Sequence, residues 1–596
     1  QRQMCIRDSA NTIEKMASLI EGKKGILKET IYKHKEHNVD TEYDEFPLTD
    51  VQMAYLIGRN EGIALGGIST HGYYEILTHL NIRKLEESLN KVIEIQPMLR
   101  AIISKSGTQK ILKEVPRYRI SENDIRGYTD EEQENVIKTE RQRMSHYVFD
   151  TEKWPLFEFK AFRTDEEEYY LFVGIDLLIA DGGSVRIFIR QLLDFYYDRF
   201  DKNRQNAFTF KDYVEALNDF SESSTYKEDK DYWMEQISLI PPAPMLPLQK
   251  DPSVIRKPQF ARIEKVIPKS EWNVLQKEAK KKGITTSTLL CTAYALVLGY
   301  WSNQPELTIN VTVFTRYPFN EGVTDIVGDF TSVILLRVNL LGRSDFWKLA
   351  SEIQNQLMDA LEHRHYDGMN VIRKIAEQAE MKEQAVMPVV FTSLLFSMEE
   401  GDIVTIEDLG EVKMGVSQTS QVYLDYQVME TKEGLLITWD YIKELFTPNM
   451  ISTMFKQYIN IVESLSKNVI SMPHLDSKEQ EVFTAYNDTK LDMPILPIQT
   501  TFKKIAEKYP EKILIADNTG GVTCHQVDKQ SSQIANYLLN QKIKRGDVIA
   551  VLGNRRKETI INILGILKAG AAYVAIDPEY PEERKKYILS HSESVM

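Results

Sequence analysis

Apolar positions along the chain keep two rhythms. Short apolar or alternating runs predict strands at 169–180, 307–314, 389–396 and 422–427. Apolar residues three and four apart predict helices at 85–95, 185–200, 286–300 and 346–363. Near the start, Ile13, Met16, Ala17 and Ile20, then Ile26 and Ile31, predict one or two leading helices ahead of an acidic stretch at 40–45. Residues 1–9 share no pattern with the rest of the chain. From Phe46 to Ser466 strands and helices alternate without an internal repeat. Two segments interrupt the alternation. Residues 240–252, IPPAPMLPLQKDP, hold five prolines, which exclude a helix or central strand and predict an extended strap between two lobes. Residues 466–497 are polar and irregular and predict a linker. Beyond Pro497 the order becomes helix (501–509), strand, helix (530–539), strand (548–552), helix (558–569) and strand (572–576). That is a parallel α/β rhythm, and it stops in mid-pattern at Met596. The expected organisation is a leader at 1–40, lobes at 41–225 and 226–470, a linker at 471–497 and a truncated α/β piece at 498–596.

Composition narrows the function. At 596 residues, 42% hydrophobic and 27% charged, the chain is long enough for several packed domains and too apolar for disorder. A formal charge of −14, from 73 Lys and Arg against 87 Asp and Glu, speaks against a nucleic-acid partner, whose phosphates want a basic face. No run reaches the ~18 apolar residues of a membrane span. The longest, 289–301, carries Thr292 and Tyr294 and predicts a buried helix. No signal segment opens the sequence. Cys5, Cys291 and Cys524 suit neither a disulfide framework nor a zinc knuckle, so a reducing cytoplasm is the expected compartment. His34 with His37, and His363 with His365, are close pairs whose polar surroundings predict solvated surface rather than a metal.

Candidate chemistry begins in LFVGIDLLIADGGSVRIFIRQLLDFYY, 171–197. A carboxylate inside an apolar strand is expensive unless it is paired or lines a cavity, which singles out Asp176 and Asp181. An architectural reading competes. Gly182 and Gly183 supply a turn, Ser184 is placed to cap the following helix, and Arg316 is an available ion-pair partner for Asp181. In the strand 422–427, period two puts Val422, Leu424 and Tyr426 on one face and Tyr423, Asp425 and Gln427 on the other. A carboxylate and an amide therefore point together. Thr392 shares a face with Val390 and Leu394. Each has a plain alternative: an edge charge for Asp425, β-propensity for Thr392. Asn310, in TINVTVF, is either a third member of that polar cluster or a satisfied strand-end amide.

Asp176-x4-Asp181-x2-Ser184 resembles the DxxxxDxxS signature of heterocyclization domains in nonribosomal peptide synthetases. These are relatives of condensation domains, whose motif is HHxxxDG. Leu177 falls on the second histidine of that motif, the residue given to amide-bond formation. Other motifs stand in family order: FPLTDVQMAYLIGR (46–59), QPMLRAIISKSGTQ (96–109), the proline strap, GDFTSVILL (328–336) and PVVFTSLL (388–395). SQTSQVYLDYQ (417–427) comes next, with Ser420 where the family usually has Pro, and WDYIKELFTP (439–448) closes the set. Further on, VTCHQVDKQSSQIANYL (522–538), with Cys524 where Tyr is common, and LKAGAAYVAIDPEYPEER (567–584) resemble early core motifs of adenylation domains. No phosphate loop, later adenylation motif or carrier-domain serine is recognisable, so adenylation by this chain alone is not expected.

The resemblance implies an α/β fold: a chloramphenicol acetyltransferase-like pseudo-dimer of two lobes around a tunnel for two pantetheine arms, then a partial adenylation subdomain. It implies condensation of an upstream acyl or peptidyl thioester with carrier-bound Cys, Ser or Thr, then cyclodehydration to a thiazoline or oxazoline. Ring closure would fall to Asp425 and Thr392, with Asn310 a weaker member. Asp176, Asp181, Ser184, Gln427 and Arg316 would stand beside them in structural roles. No cofactor or metal is expected on the domain itself. 4'-Phosphopantetheine would sit on upstream and downstream carrier domains, and ATP with Mg on a complete adenylation domain. The remainder of the same synthetase module is the other expected partner, with neither nucleic acid nor membrane. Rival readings are an ordinary condensation or acyltransferase domain, whose histidine is missing at Leu177, and a noncatalytic carrier-docking platform, which would lack Asp425 and Thr392.

Overall fold

The computed structural model describes residues 32–596 except 202–206, 343–344, 380–384, 396–403, 468, 475–476 and 492–494. The leading helices expected before Tyr32 lie outside the described residues. The chain divides into two compact units, Gln1–His474 and Leu475–Met596.

In the first half of the first unit, the site rests on α1 (Asp50–Gly58), β1 (His71–Thr78), α2 (Ile82–Ile95), β2 (Ser121–Asp124), β3 (Phe157–Arg163), β4 (Tyr169–Asp176) and α3 (Gly182–Tyr196). The second half supplies β5 (Phe260–Pro268), α4 (Thr286–Ser302), β6 (Glu306–Phe314), β7 (Thr331–Asn339), α5 (Phe346–Glu362), α6 (Gly368–Gln378) and β8 (Val389–Ser393). It ends with β9 (Glu411–Gln418), β10 (Leu424–Glu430), β11 (Gly434–Ile442) and α7 (Pro448–Ser466). Two sheets form. One has the order β9-β1-β4-β3-β2 and the other β7-β6-β8-β10-β11-β5. β9 therefore leaves the half that its sequence position suggests and pairs antiparallel with β1, Gln418 opposite His71.

Burial explains the elements. α2 buries Ile82, Leu85, Leu89 and Val92, the three-and-four spacing of an amphipathic helix, and the Asn81 side chain accepts from the Lys84 amide at its start. α4 is buried without a break from Thr288 to Gly299 and stops where Asn303 turns left-handed at φ 52°. Its apolar run is thus a core helix, packed against α5 and α7. Among the described residues no single helix is long and apolar enough to cross a membrane. The proline strap forms neither helix nor strand from residue 240 to 251, a 3-10 turn begins at Pro252, and backbone bonds pin the strap to the second lobe. Pro242 carbonyl accepts from the Thr308 amide at 3.0 Å and Gln249 amide donates to Leu445 carbonyl at 2.9 Å.

Three expectations change. His365 is buried rather than solvated: Nδ1 lies 2.7 Å from Asp229, and Nε2 lies 2.8 Å from the Tyr32 hydroxyl. His363 lies 3.1 Å from the other oxygen of Asp229, and His37 meets Asp212 at 2.8 Å. Polar neighbours in sequence predicted water, but carboxylates from distant helices took its place. No group of three or more His, Cys, Asp or Glu side chains among the described residues is arranged to hold a metal. In the second unit, the stretch expected to be irregular contains a helix, Ser477–Asn487, whose Lys, Glu and Gln are good helix formers. Val548–Leu552 and Ala572–Ile576 pair in parallel as the α/β rhythm requires, whereas Ile513–Asp517 folds back antiparallel on Gly520–Thr523.

Candidate active site

The motif turn is built on paired charges. α1 begins in a capping box between Thr49 and Gln52, and the Gln52 amide then donates to the Leu178 carbonyl at 2.7 Å. The opening motif thereby fixes the chain just past β4. Its last residue, Arg59, pairs with Asp176 and also donates to the Phe149 carbonyl at 2.9 Å. Asp176 further accepts from Ser69 Oγ and the Leu178 amide, both at 3.1 Å. Asp181, not Ser184, caps α3, accepting from the Ser184 amide at 2.6 Å. Either residue type caps well; the helix simply starts earlier than its apolar periodicity suggests. Asp181 also accepts from the Phe330 amide at 3.0 Å and meets Arg316 at 3.7 Å, the ion pair anticipated for it. Ser184 Oγ donates to Gly328 carbonyl at 2.6 Å and accepts from Arg316 at 2.8 Å. A Cβ on Gly328 would stand 2.2 Å from the Phe210 ring, so this loop tolerates only glycine. The motif ties α3 of one lobe to residues 328–330 of the other.

The second lobe presents a different surface. In the parallel registers of β6, β8 and β10, Asn310, Val390 and Asp425 form one row and Thr312, Thr392 and Gln427 the next. Thr392 Oγ1 lies 3.5 Å from Asp425 and 2.9 Å from Thr312 Oγ1, and the Gln427 amide donates to Asp425 at 2.7 Å. Asp425 is only 7% exposed. Burial pushes its carboxyl up to about 7, against the opposing pull of the Gln427 hydrogen bond. The Oδ1 of Asn310 is buried without a partner.

Both surfaces meet at a cavity of about 290 Å³. Asn310, Thr392, Asp425 and Gln427 line it from the second lobe; Leu177 and Asp181 line it from the first. Asp176, Ser184 and Arg316 stand behind the wall. Leu177 offers only hydrocarbon to the cavity. A carboxyl that titrates near neutrality in a largely apolar cavity can give and take protons, which is what acid–base chemistry requires.

Two residues near the cavity escaped the sequence reading. Tyr55 lines it beside Val51 and Ala54, and burial together with Asp329 and Asp425 holds its phenol protonated well past the usual range. The spacing of Val51, Ala54 and Tyr55 is the signal that marks this helical face. Asp329, fully buried, has one carboxylate oxygen without a partner, and burial raises its proton affinity well above the usual range.

Residues 43–490 match the condensation domain family and residues 502–596 the AMP-binding enzyme family. Bacitracin synthase 1 of Bacillus licheniformis is 37% identical over 583 residues, covering 98% of this chain and 11% of that protein. Phenyloxazoline synthase MbtB of Mycobacterium tuberculosis is 28% identical over 592 residues, covering 97% of this chain and 41% of that protein. Among solved structures, the EpoB NRPS cyclization-docking bidomain of Sorangium cellulosum aligns with a TM-score of 0.70 and 31% identity, covering 77% of this chain and 93% of that one. The chain thus spans less than half of either full-length synthetase.

Proposed function

The chain belongs to the condensation-domain family and continues into part of an AMP-binding enzyme, and from that premise we propose that its first unit is a heterocyclization domain of a nonribosomal peptide synthetase. Its substrates are an upstream acyl or peptidyl thioester and a Cys, Ser or Thr thioester, each tethered to a carrier domain by 4'-phosphopantetheine. Amine attack on the donor thioester forms the amide and releases the upstream carrier's thiol. Side-chain sulfur or oxygen then attacks the new amide carbon, and the carbonyl oxygen leaves as water to give a thiazoline or oxazoline. Relatives named for cyclization and for a phenyloxazoline support a ring-forming outcome.

The first step is intrinsically easy, and holding both tethered reactants together supplies much of its acceleration. The second needs a proton delivered to the departing oxygen and one removed from nitrogen, sulfur or oxygen. Asp425 carries both, giving its proton to the oxygen and recovering one from the ring-forming groups. Thr392 orients it, Gln427 holds its second oxygen, and Asn310 is a weaker member that faces the same intermediate. The observation that carries this reading is a buried carboxyl near its titration point, lining a cavity where Leu177 excludes a histidine base. The domain itself uses no cofactor; ATP with Mg belongs to the complete adenylation domain.

The test loads an upstream donor and a downstream Cys carrier, adds the chain, and weighs the product. Ring product, lighter than the amide by one water, is expected. Asp425→Asn should lower ring formation roughly 10²–10⁴-fold and let the open amide accumulate. Ring product at the normal level from that variant would remove Asp425 from its role. Amide alone from the unaltered chain would make this an ordinary condensation domain.

A further inference from the structure

Asp425 has a second carboxylate for a neighbour. In the antiparallel pairing of β10 with β11 it stands directly opposite Asp440, which places the two Cβ atoms on one face, about 5 Å apart. Asp440 is fully buried. Two charges so placed repel, and such a pair holds one charge far more readily than two. What each carboxylate is bonded to differs in kind. Arg262, opposite Asp440 in the pairing of β11 with β5, donates Nε at 2.8 Å and Nη2 at 2.6 Å to its two oxygens. The Ser417 amide of β9 adds a third bond at 3.2 Å. Asp425 receives only the Gln427 amide and the Thr392 hydroxyl, both neutral. The guanidinium has room because β9 carries glycine there: a Cβ on Gly415 would stand 2.8 Å from Arg262 Nη1. The ion pair is therefore wedged between the two sheets, and neither member lines the cavity.

We propose that Arg262 and Asp440 are a positioning pair for ring closure: Arg262 fixes the negative charge on Asp440, and that charge leaves the proton of the carboxylate couple on Asp425. This rests on the assignment of Asp425 as the proton carrier. Asn310 and Thr312 on β6, Thr392 on β8 and Tyr55 on α1 surround Asp425 with neutral groups, while Asp181 and Arg186 at the start of α3 and Glu430 at the end of β10 are the charged side chains that line the same cavity. Of the charged groups, Asp440 and Arg262 bear on it most. The device sorts two identical functional groups: burial raises both carboxyls, and Arg262 with the Ser417 amide pulls Asp440 back toward its anion while Asp425 keeps its proton. A lone buried carboxyl would not need it.

The experiment measures the ratio of ring to amide product against pH, using the full chain with loaded donor and Cys carriers. Ring closure needs protonated Asp425, so its rate falls on the alkaline side. Asp440→Asn leaves the Arg262 cation uncompensated near Asp425, and an opposite charge at ~4–6 Å lowers a carboxyl pKa by roughly 1–3 units. The alkaline limb should move down by roughly that amount. Arg262→Gln removes the cation and should move the limb up. Shifts in the same direction, or none, overturn the proposal. Because the two variants predict opposite signs, either one that folds suffices. Asp425→Asn run in parallel separates the two failures. Ring product from it defeats the underlying assignment; loss of ring product with unmoved limbs in the other variants defeats the pairing alone.

Discussion

The cavity has two polar walls, and they differ in how completely their groups are bonded. On the motif wall, Asp176 is held by Arg59, Ser69 and the Leu178 amide, and Asp181 by the Ser184 and Phe330 amides and Arg316. On the strand wall, Asp425 has only an amide and a long-range hydroxyl, and Asn310 Oδ1 has nothing. Buried polar groups that are fully bonded stabilise a fold, whereas those left short of partners are available to a substrate. On the proposed reading the more recognisable motif is therefore the architectural one, and the chemistry falls to residues that look ordinary in sequence.

The sharpest way to break this contrast is to empty the motif wall. Asp176→Ala would leave the Arg59 guanidinium, 10% exposed, without its carboxylate. Removing one partner of a buried pair costs about 3–5 kcal/mol. Folded yield and melting temperature should drop steeply, with amide and ring products falling together. A variant that folds normally but loses ring product alone would move Asp176 from scaffold to chemistry.

Part of this contrast is legible in the sequence. Strand periodicity places Asp425 and Gln427 on one face, and the structure keeps them there, 2.7 Å apart. Motif spacing locates the turn, and charge pairing anticipates Asp181 with Arg316. Other features depend on facts that no local pattern contains. Arg262 and Asp440 are 178 positions apart, and their contact comes from the strand order β10-β11-β5. Alternation in β9 tells which side chains share a face, but not that the strand joins the other lobe's sheet. The cap expected at Ser184 falls instead on Asp181 because both residue types favour that position, and periodicity fixes a helix start only loosely.

A smaller effect tests the strand wall from within. Thr392→Val keeps the shape of the side chain and removes its hydroxyl, leaving Asp425 with Gln427 as its remaining direct bond. A hydrogen bond to a charged or charge-developing group is worth about 1.5–3 kcal/mol, so ring formation should fall at least ~10-fold. Amide formation should fall by less. Equal losses in both products would place Thr392 with the scaffold and blur the division between the walls.

The smallest effect probes the contrast without catalysis. Burial holds the Asp425 carboxyl up to about 7, against an ordinary value of 3.8. Between those two pH values the native state keeps a proton that the unfolded chain has released. Stability linked to this group is therefore complete below the lower value and declines as pH rises through the higher one. Asn at this position fills similar space and does not titrate. Asp425→Asn should gain in melting temperature relative to the unaltered chain as pH goes from 5 to 8, by about 2 °C for the first unit's transition. The bonded carboxylates of the motif wall supply the reference: Asp181→Asn removes a group held by Arg316 and two amides, and should lose stability at pH 8. A carboxyl that still holds its proton well above pH 5 on one wall and a fully bonded one on the other predict opposite signs at pH 8. A difference for Asp425→Asn that stays flat across this range would mean that its carboxyl is already ionised at pH 5, and the strand wall would then be as fully committed as its neighbour.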